Sequence, residues 1–114
     1  MRFLFLWGDI MSSKRKGIKK EWELKKYLEK NGYLVLRSAA SKTGIDLLAG
    51  NGKEVIAIQV QTSEYISKDK LEALKKYAFV FNAKPVIAIK KRKSWIFVEE
   101  KDLEKTGKMF KIPC

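Results

Sequence analysis

The chain is 114 residues long, enough for one domain with a modest core and too short for two. Its 46% hydrophobic content is that of an ordinary globular protein, while 25 Lys and Arg against 13 Asp and Glu leave a formal charge of +12 that favours a polyanionic partner. With no His and one Cys, the terminal Cys114, a zinc site and an internal disulfide are excluded, and a reducing, cytoplasmic setting is expected.

Residues 1–7 have the apolar look of a signal segment. They are too short, lack a small-residue cleavage site and run into Asp9 and a basic stretch, so neither secretion nor membrane spanning is expected. Because Met11-Ser12-Ser13-Lys14-Arg15 reads as an ordinary start, residues 1–13 are expected to be an extension outside the fold. Lys14-Arg15-Lys16-Gly17 reads as a mobile basic arm leading into a helix over 18–30, with Asn31-Gly32 in the left-handed cap and Ile18, Trp22 and Leu28 on one buried stripe. A strand over 33–38 follows, then a small-residue loop over 39–44.

Asn51-Gly52 tolerates the positive φ angles of a tight two-residue turn, so strands over 45–50 and 53–61 form a hairpin. A turn centred there sets Asp46 opposite Ala57. Gln59 and Gln61 then share that face, and Ile56, Ile58 and Val60 point the other way into a core. After a short polar connection, Ser67 caps a second helix ending near Phe81, with Leu71, Leu74, Ala78 and Phe81 on its buried face. Pro85 opens a strand through Lys90, Lys91-Arg92-Lys93 makes a turn, and Ser94 to Val98 make another strand. A helical turn near Lys101 and a tail over 105–114 end the chain, leaving a domain over 14–104. The order αβββαββ predicts a single α/β domain, a mixed central sheet flanked by helices.

An aspartate on one strand and a pair of polar groups at X-Val-X on the next resemble the layout of the PD-(D/E)xK nuclease superfamily, a restriction-endonuclease-like fold. With Arg15-Lys16-Gly17, Glu21, Arg37-Ser38, Gly44-Ile45-Asp46-Leu47, Ala49-Gly50-Asn51-Gly52-Lys53, Tyr65, Lys68 and Tyr77, continuing into Trp95 and Phe97, the chain resembles the archaeal Holliday junction resolvases over about residues 14 to 100. The resemblance implies a homodimer that grips a four-way DNA junction and uses Mg²⁺ to nick two symmetric strands. It also implies metal ligation by Asp46, Glu21 and the position of Gln59, catalysis by these with the position of Gln61, and phosphate binding by Arg37. Tyr77 and Phe81 match an aromatic pair at the dimer surface.

The likeness breaks where the family has Glu-x-Lys, here Gln59-Val60-Gln61, and where a helix arginine is Trp22. The connection after Gln61 is also short. Mg²⁺ prefers anionic hard oxygens, and Gln59 deletes a charge at every pH. A lysine at the second position would stabilise charge developing on phosphate, which the Gln61 amide cannot do; losing one such group typically costs on the order of 10²–10³ in rate. Gln59 and Gln61 are the only glutamines in the chain, so their placement reads as specific replacement. The expectation is a dimeric binder of branched DNA, with no small-molecule substrate, whose cleavage is strongly impaired or absent. Lys14, Arg15, Lys16, Lys19, Arg37 and Lys42 would meet phosphates and lay DNA across Asp46. Two alternatives stand beside it. One is an active Mg²⁺-dependent resolvase in which the Gln59 amide suffices or a neighbour such as Glu23 substitutes; the other is a nuclease-fold RNA-binding or scaffolding module.

Overall fold

The computed structural model describes residues 12–38 and 44–113, the first six of these by their backbone alone. The extension over 1–11 and the loop carrying Lys42 lie outside the described residues.

Helix α1 spans Ser12–Lys30. The segment expected as a mobile arm is therefore its first turns: Lys14, Arg15 and Lys16 are strong helix formers, and one glycine at position 17 costs only about 1 kcal/mol. The helix ends in a Schellman arrangement, in which the Tyr33 N–H donates to the Leu28 carbonyl at 3.1 Å and the Gly32 N–H to that of Glu29 at 3.2 Å. Gly32 there has φ 91°, which a side chain would resist. The buried stripe differs from the expected one. Leu24 and Leu28 are buried while Ile18 and Trp22 are exposed, because the line facing the sheet is 21, 24 and 28 at helical spacing. That line carries Glu21 toward the sheet.

Strands β1 (Leu34–Arg37), β2 (Leu47–Gly50), β3 (Val55–Gln61), β5 (Lys84–Lys91) and β6 (Ser94–Val98) form the main sheet in the order β1-β2-β3-β5-β6. Only β3 and β5 are parallel, and helix α2 (Lys68–Val80) is the crossover between them. Leu24 and Leu28 of α1 pack with Leu47, Ile56 and Ile58 on one face. Leu71, Leu74 and Ala78 of α2 pack with Ala57, Ile87 and Ile89 on the other. At about 1.5–3 kcal/mol for each fully buried aliphatic side chain, these two layers supply the driving force for the fold.

The hairpin register is shifted from the expected one. Gly50 pairs with Val55 and Leu48 with Ala57, so the connection uses four residues, 51–54. The Asn51 side-chain oxygen accepts from the Lys53 and Glu54 N–H groups at 2.9 Å each, an Asx turn in place of a tight two-residue one. The shift is two residues, so every side chain keeps its face. Ala57 therefore faces Leu48, not Asp46, and Asp46 lies just before the ladder with its N–H on the Ile58 carbonyl.

Helix α2 starts as expected, with the Ser67 hydroxyl accepting from the Lys70 N–H at 3.2 Å. It stops one residue early. Phe81 is exposed, not part of the buried face, because Asn82 takes the left-handed conformation (φ 53°) and the chain turns there. The connection after Gln61 and the region expected as a tail contain a second sheet, β4 (Tyr65–Ser67) beside β8 (Met109–Lys111) and β7 (Glu104–Thr106), after a short 3₁₀ turn, Glu100–Asp102. Ile112 is fully buried in the α2-side core, so the last residues belong to the fold.

Candidate active site

Asp46 lies where the β1, β2 and β3 ladders end together. Its backbone N–H donates to the Ile58 carbonyl at 2.8 Å, and its carbonyl accepts from the Ser38 N–H at 2.9 Å. Its side chain then accepts the Val60 N–H at 2.8 Å, taking the place that a β2 carbonyl would occupy one step further along. An aspartate, disfavoured in strands, thus completes the sheet hydrogen bonding at the half-buried end of the ladders. Gly44 sets the approach: a Cβ there would meet the Ala73 carbonyl oxygen at 2.5 Å, so only glycine lets the chain pass this close to α2.

Glu21 comes from the inward line of α1. Burial pushes its carboxyl up to about 7, with the Asp46 charge adding to the rise and Arg37 opposing it. Burial also raises Asp46, against the Val60 N–H, a hydrogen bond from Glu21 and the charges of Lys70 and Arg37. Burial thus raises both carboxyls, and Glu21 the more clearly, to about 7 beside the Asp46 charge. Arg37, at the end of β1, donates to the Glu21 Oε1 at 2.9 Å, and its guanidinium carbon lies 5.1 Å from the centre of the Trp22 ring.

Gln59 and Gln61 alternate along β3 with Ile58 and Val60, which pack on the α1 side, and flank the Val60 amide that Asp46 holds. The Gln59 Nε2 donates to the Gln61 Oε1 at 3.4 Å, a weak bond, and the Gln61 Nε2 donates to the Tyr65 carbonyl at 2.9 Å. Gln61 is only 6% exposed and is the sole buried polar residue among the described side chains. Both amides are built into the fold, with Gln61 tying the end of β3 to β4.

Of the residues picked out from sequence, Glu21, Arg37, Asp46, Gln59 and Gln61 gather at this one end of the sheet. Lys19 is exposed on α1 with its charge felt by Glu23, and Lys14, Arg15 and Lys16 occupy the first turns of the same helix. Glu23, considered as a substitute ligand, pairs with Lys90 on β5. Tyr77 is half-buried against the α2-side core. Lys70 was not singled out from the sequence. It stands in the first turn of α2 with its charge acting on Asp46, and only the three-dimensional placement of that helix reveals it.

Once deprotonated, the Glu21 and Asp46 carboxylates would suit a hard divalent cation in charge and oxygen type, and the Gln59 amide oxygen could add a neutral third donor. Among the described residues no three acidic, His or Cys side chains are grouped to hold a metal, so the donor set is a reduced one. No helix among them is long and apolar enough to cross a membrane.

The family model for archaeal Holliday junction resolvase (Hjc) matches residues 12–113, from the first turn of α1 to just past Ile112. The crossover junction endodeoxyribonuclease Hjc of Methanocaldococcus jannaschii is 41% identical over 102 residues, covering 86% of this chain and 76% of that protein. Its Archaeoglobus fulgidus counterpart is 37% identical over 108 residues, covering 87% and 79%. The solved structure of A. fulgidus Hjc, a Holliday junction resolvase from an archaeal hyperthermophile, superposes with a TM-score of 0.78 at 36% identity, over 85% of this chain and 83% of that one. Sheet, helices and the small second sheet all fall within the matched span, and the chain belongs to the archaeal Holliday junction resolvase family.

Proposed function

We propose that this chain binds four-way or branched DNA as a homodimer and that its phosphodiester cleavage is strongly impaired. Membership of the resolvase family and the formal charge of +12 support the choice of ligand. The observation that carries the impairment is the commitment of Gln61: buried and bonded to the Tyr65 carbonyl, it supplies no cation from β3. Mg²⁺, held by Asp46 and Glu21, would supply charge neutralisation at the phosphate and an activated water. Around it Arg37 would hold a flanking phosphate, and Gln59 would offer an uncharged oxygen. The ordinary route to a fast reaction, an additional preorganised charge on β3, is missing.

For the dimer, the favoured surface is the exposed apolar end of α2, Phe79 and Val80 with Phe81 just beyond, together with Leu34 and Leu36, which project from edge strand β1 on the side away from α1. The test is a junction-binding and junction-nicking assay run side by side, with the mass of the free protein measured by light scattering. Tight, salt-sensitive junction binding by a dimer with nicking below about one hundredth of a revertant's rate supports the reading; binding no tighter than to linear duplex ends it.

One observation favours the alternative of an active resolvase. Lys70 reaches the field of Asp46 from α2 and could provide the missing cation from a different element. On that account the parent nicks junctions in Mg²⁺, and Lys70→Met abolishes the activity while leaving binding in place.

A further inference from the structure

Trp22 sits next in sequence to Glu21 and on the adjoining face of α1, 39% exposed, outside both cores. Two cations lie against its ring, the Arg37 guanidinium at 5.1 Å and the Lys25 ammonium at 5.5 Å from the centroid. Arg37 is held by Glu21 at 2.9 Å in a largely buried pair, while Lys25 bonds Glu29 at 2.7 Å in a more exposed one along the helix. The result is an aromatic surface flanked by one anchored and one mobile positive charge, beside the carboxylate pair. That combination is how proteins hold unstacked nucleic acid, with cations on phosphates and a ring on a base face.

We propose that Trp22 is a base-stacking residue, its indole covering the face of a base exposed at a DNA branch point while Arg37 and Lys25 meet the phosphates on either side. The inference rests on the branched-DNA reading above and extends it to how a branch is told from a duplex. In continuous duplex every base face is covered by its neighbours, so an exposed indole gains nothing from it. At a branch point stacking is interrupted and base faces are open. Lys25, on a long flexible stem, is the cation that can swing from the ring to phosphate as a base arrives; Arg37 stays anchored.

The experiment uses the full chain and a four-way junction carrying the fluorescent base 2-aminopurine beside the branch point, with the same base placed well down one arm as the control and a linear duplex as competitor. The parent should change the fluorescence at the branch and not on the arm. Trp22→Phe should retain the change. Trp22→Ala should lose it and bind the junction about tenfold more weakly, with duplex affinity altered by less than about twofold, the scale of one lost base–aromatic stack. Equal weakening on junction and duplex, with no branch signal in the parent, overturns the proposal and leaves Trp22 as a support for Arg37. Full junction preference in Trp22→Ala also overturns it, without touching the branched-DNA reading. A parent with no junction preference overturns both.

Discussion

The Asp46 carboxylate accepts the backbone N–H of Val60 at 2.8 Å, the amide that lies between Gln59 and Gln61. One hydrogen bond therefore fixes the acidic group against the strand segment where the family's remaining charges would stand. Because the bond is to backbone, it does not depend on what occupies positions 59 and 61, which is why the frame of the site persists when its charges change.

The raised Glu21 carboxyl makes stability depend on pH in a defined direction. The folded-state carboxyl of Glu21 is raised from 4.5 to about 7, so the folded protein binds a proton that the unfolded chain releases. The stability this contributes is complete below about pH 4.5 and is lost as pH rises through about 7. Relative to Glu21→Gln, whose amide cannot titrate, the parent should lose on the order of 1 kcal/mol across that window, a figure reduced by the solvent that reaches the pair. Thermal melts of both proteins at intervals from pH 4.5 to 8 give the comparison, and parallel curves would contradict the raised Glu21 carboxyl.

Gly44 predicts a packing effect that reaches the site. A Cβ there would press on the Ala73 carbonyl and on the Tyr77 ring, at 2.5 and 2.7 Å. Backbone on one side and a half-buried ring on the other leave little room to yield. Gly44→Ala should cost about 1–3 kcal/mol by overpacking and displace Asp46 two residues later. Urea unfolding measures the first effect. The second should appear as a weaker pH dependence of the melt, since the Glu21–Asp46 contact would open.

Much of this architecture was legible in the sequence. Asn31-Gly32, Ser67 and Pro85 mark element ends by local chemistry, and alternation along 55–61 sorts Ile56 and Ile58 from Gln59 and Gln61 correctly, although the register differs by two residues from the expected one. What was not legible depended on tertiary partners. Strands β4, β7 and β8 are three residues each and have no periodicity to read; they exist because they pair with one another and because Ile112 fills the core under α2. The stripe through Trp22 was misread because helical spacing allows two neighbouring lines and only the sheet chooses between them. Lys70 is one lysine among many until α2 is laid beside Asp46.

Tyr77 and Phe81, paired by spacing, separate in the structure and so should separate in mutation. Tyr77 packs on the core and against Gly44, and Tyr77→Ala should destabilise by about 2–4 kcal/mol whatever the oligomeric state. Phe81→Ala should leave stability of the subunit within about 0.5 kcal/mol, since the ring is exposed, yet shift a dimer toward monomer. Light scattering over a concentration series with denaturant melts of each variant separates the two effects. A Phe81→Ala protein that stays fully dimeric would remove that ring from the contact.

The decisive prediction restores the missing charges. Gln59→Glu places a carboxylate next in sequence to the Val60 amide that Asp46 holds, where it would join the cation that Glu21 and Asp46 would share and give three anionic oxygen sources in place of two. Gln61→Lys gives up the donation to the Tyr65 carbonyl from an amide and can keep it from an ammonium, so the link between β3 and β4 is not lost. Neither change touches the Asp46–Val60 bond, and the register of the sheet should stand. The double revertant should nick four-way junctions in Mg²⁺ at least about a hundredfold faster than the parent, the scale of one recovered electrostatic group, and Asp46→Asn in the same background should remove the gain. The single Gln59→Glu variant should gain less than the pair, because a third carboxylate without a cation raises the proton affinity of the cluster it joins. If parent and revertant nick equally fast, the Gln59 amide and Lys70 already suffice and the chain is a working resolvase. If neither nicks while both bind junctions, the defect lies elsewhere in the site, and the chain acts by binding alone.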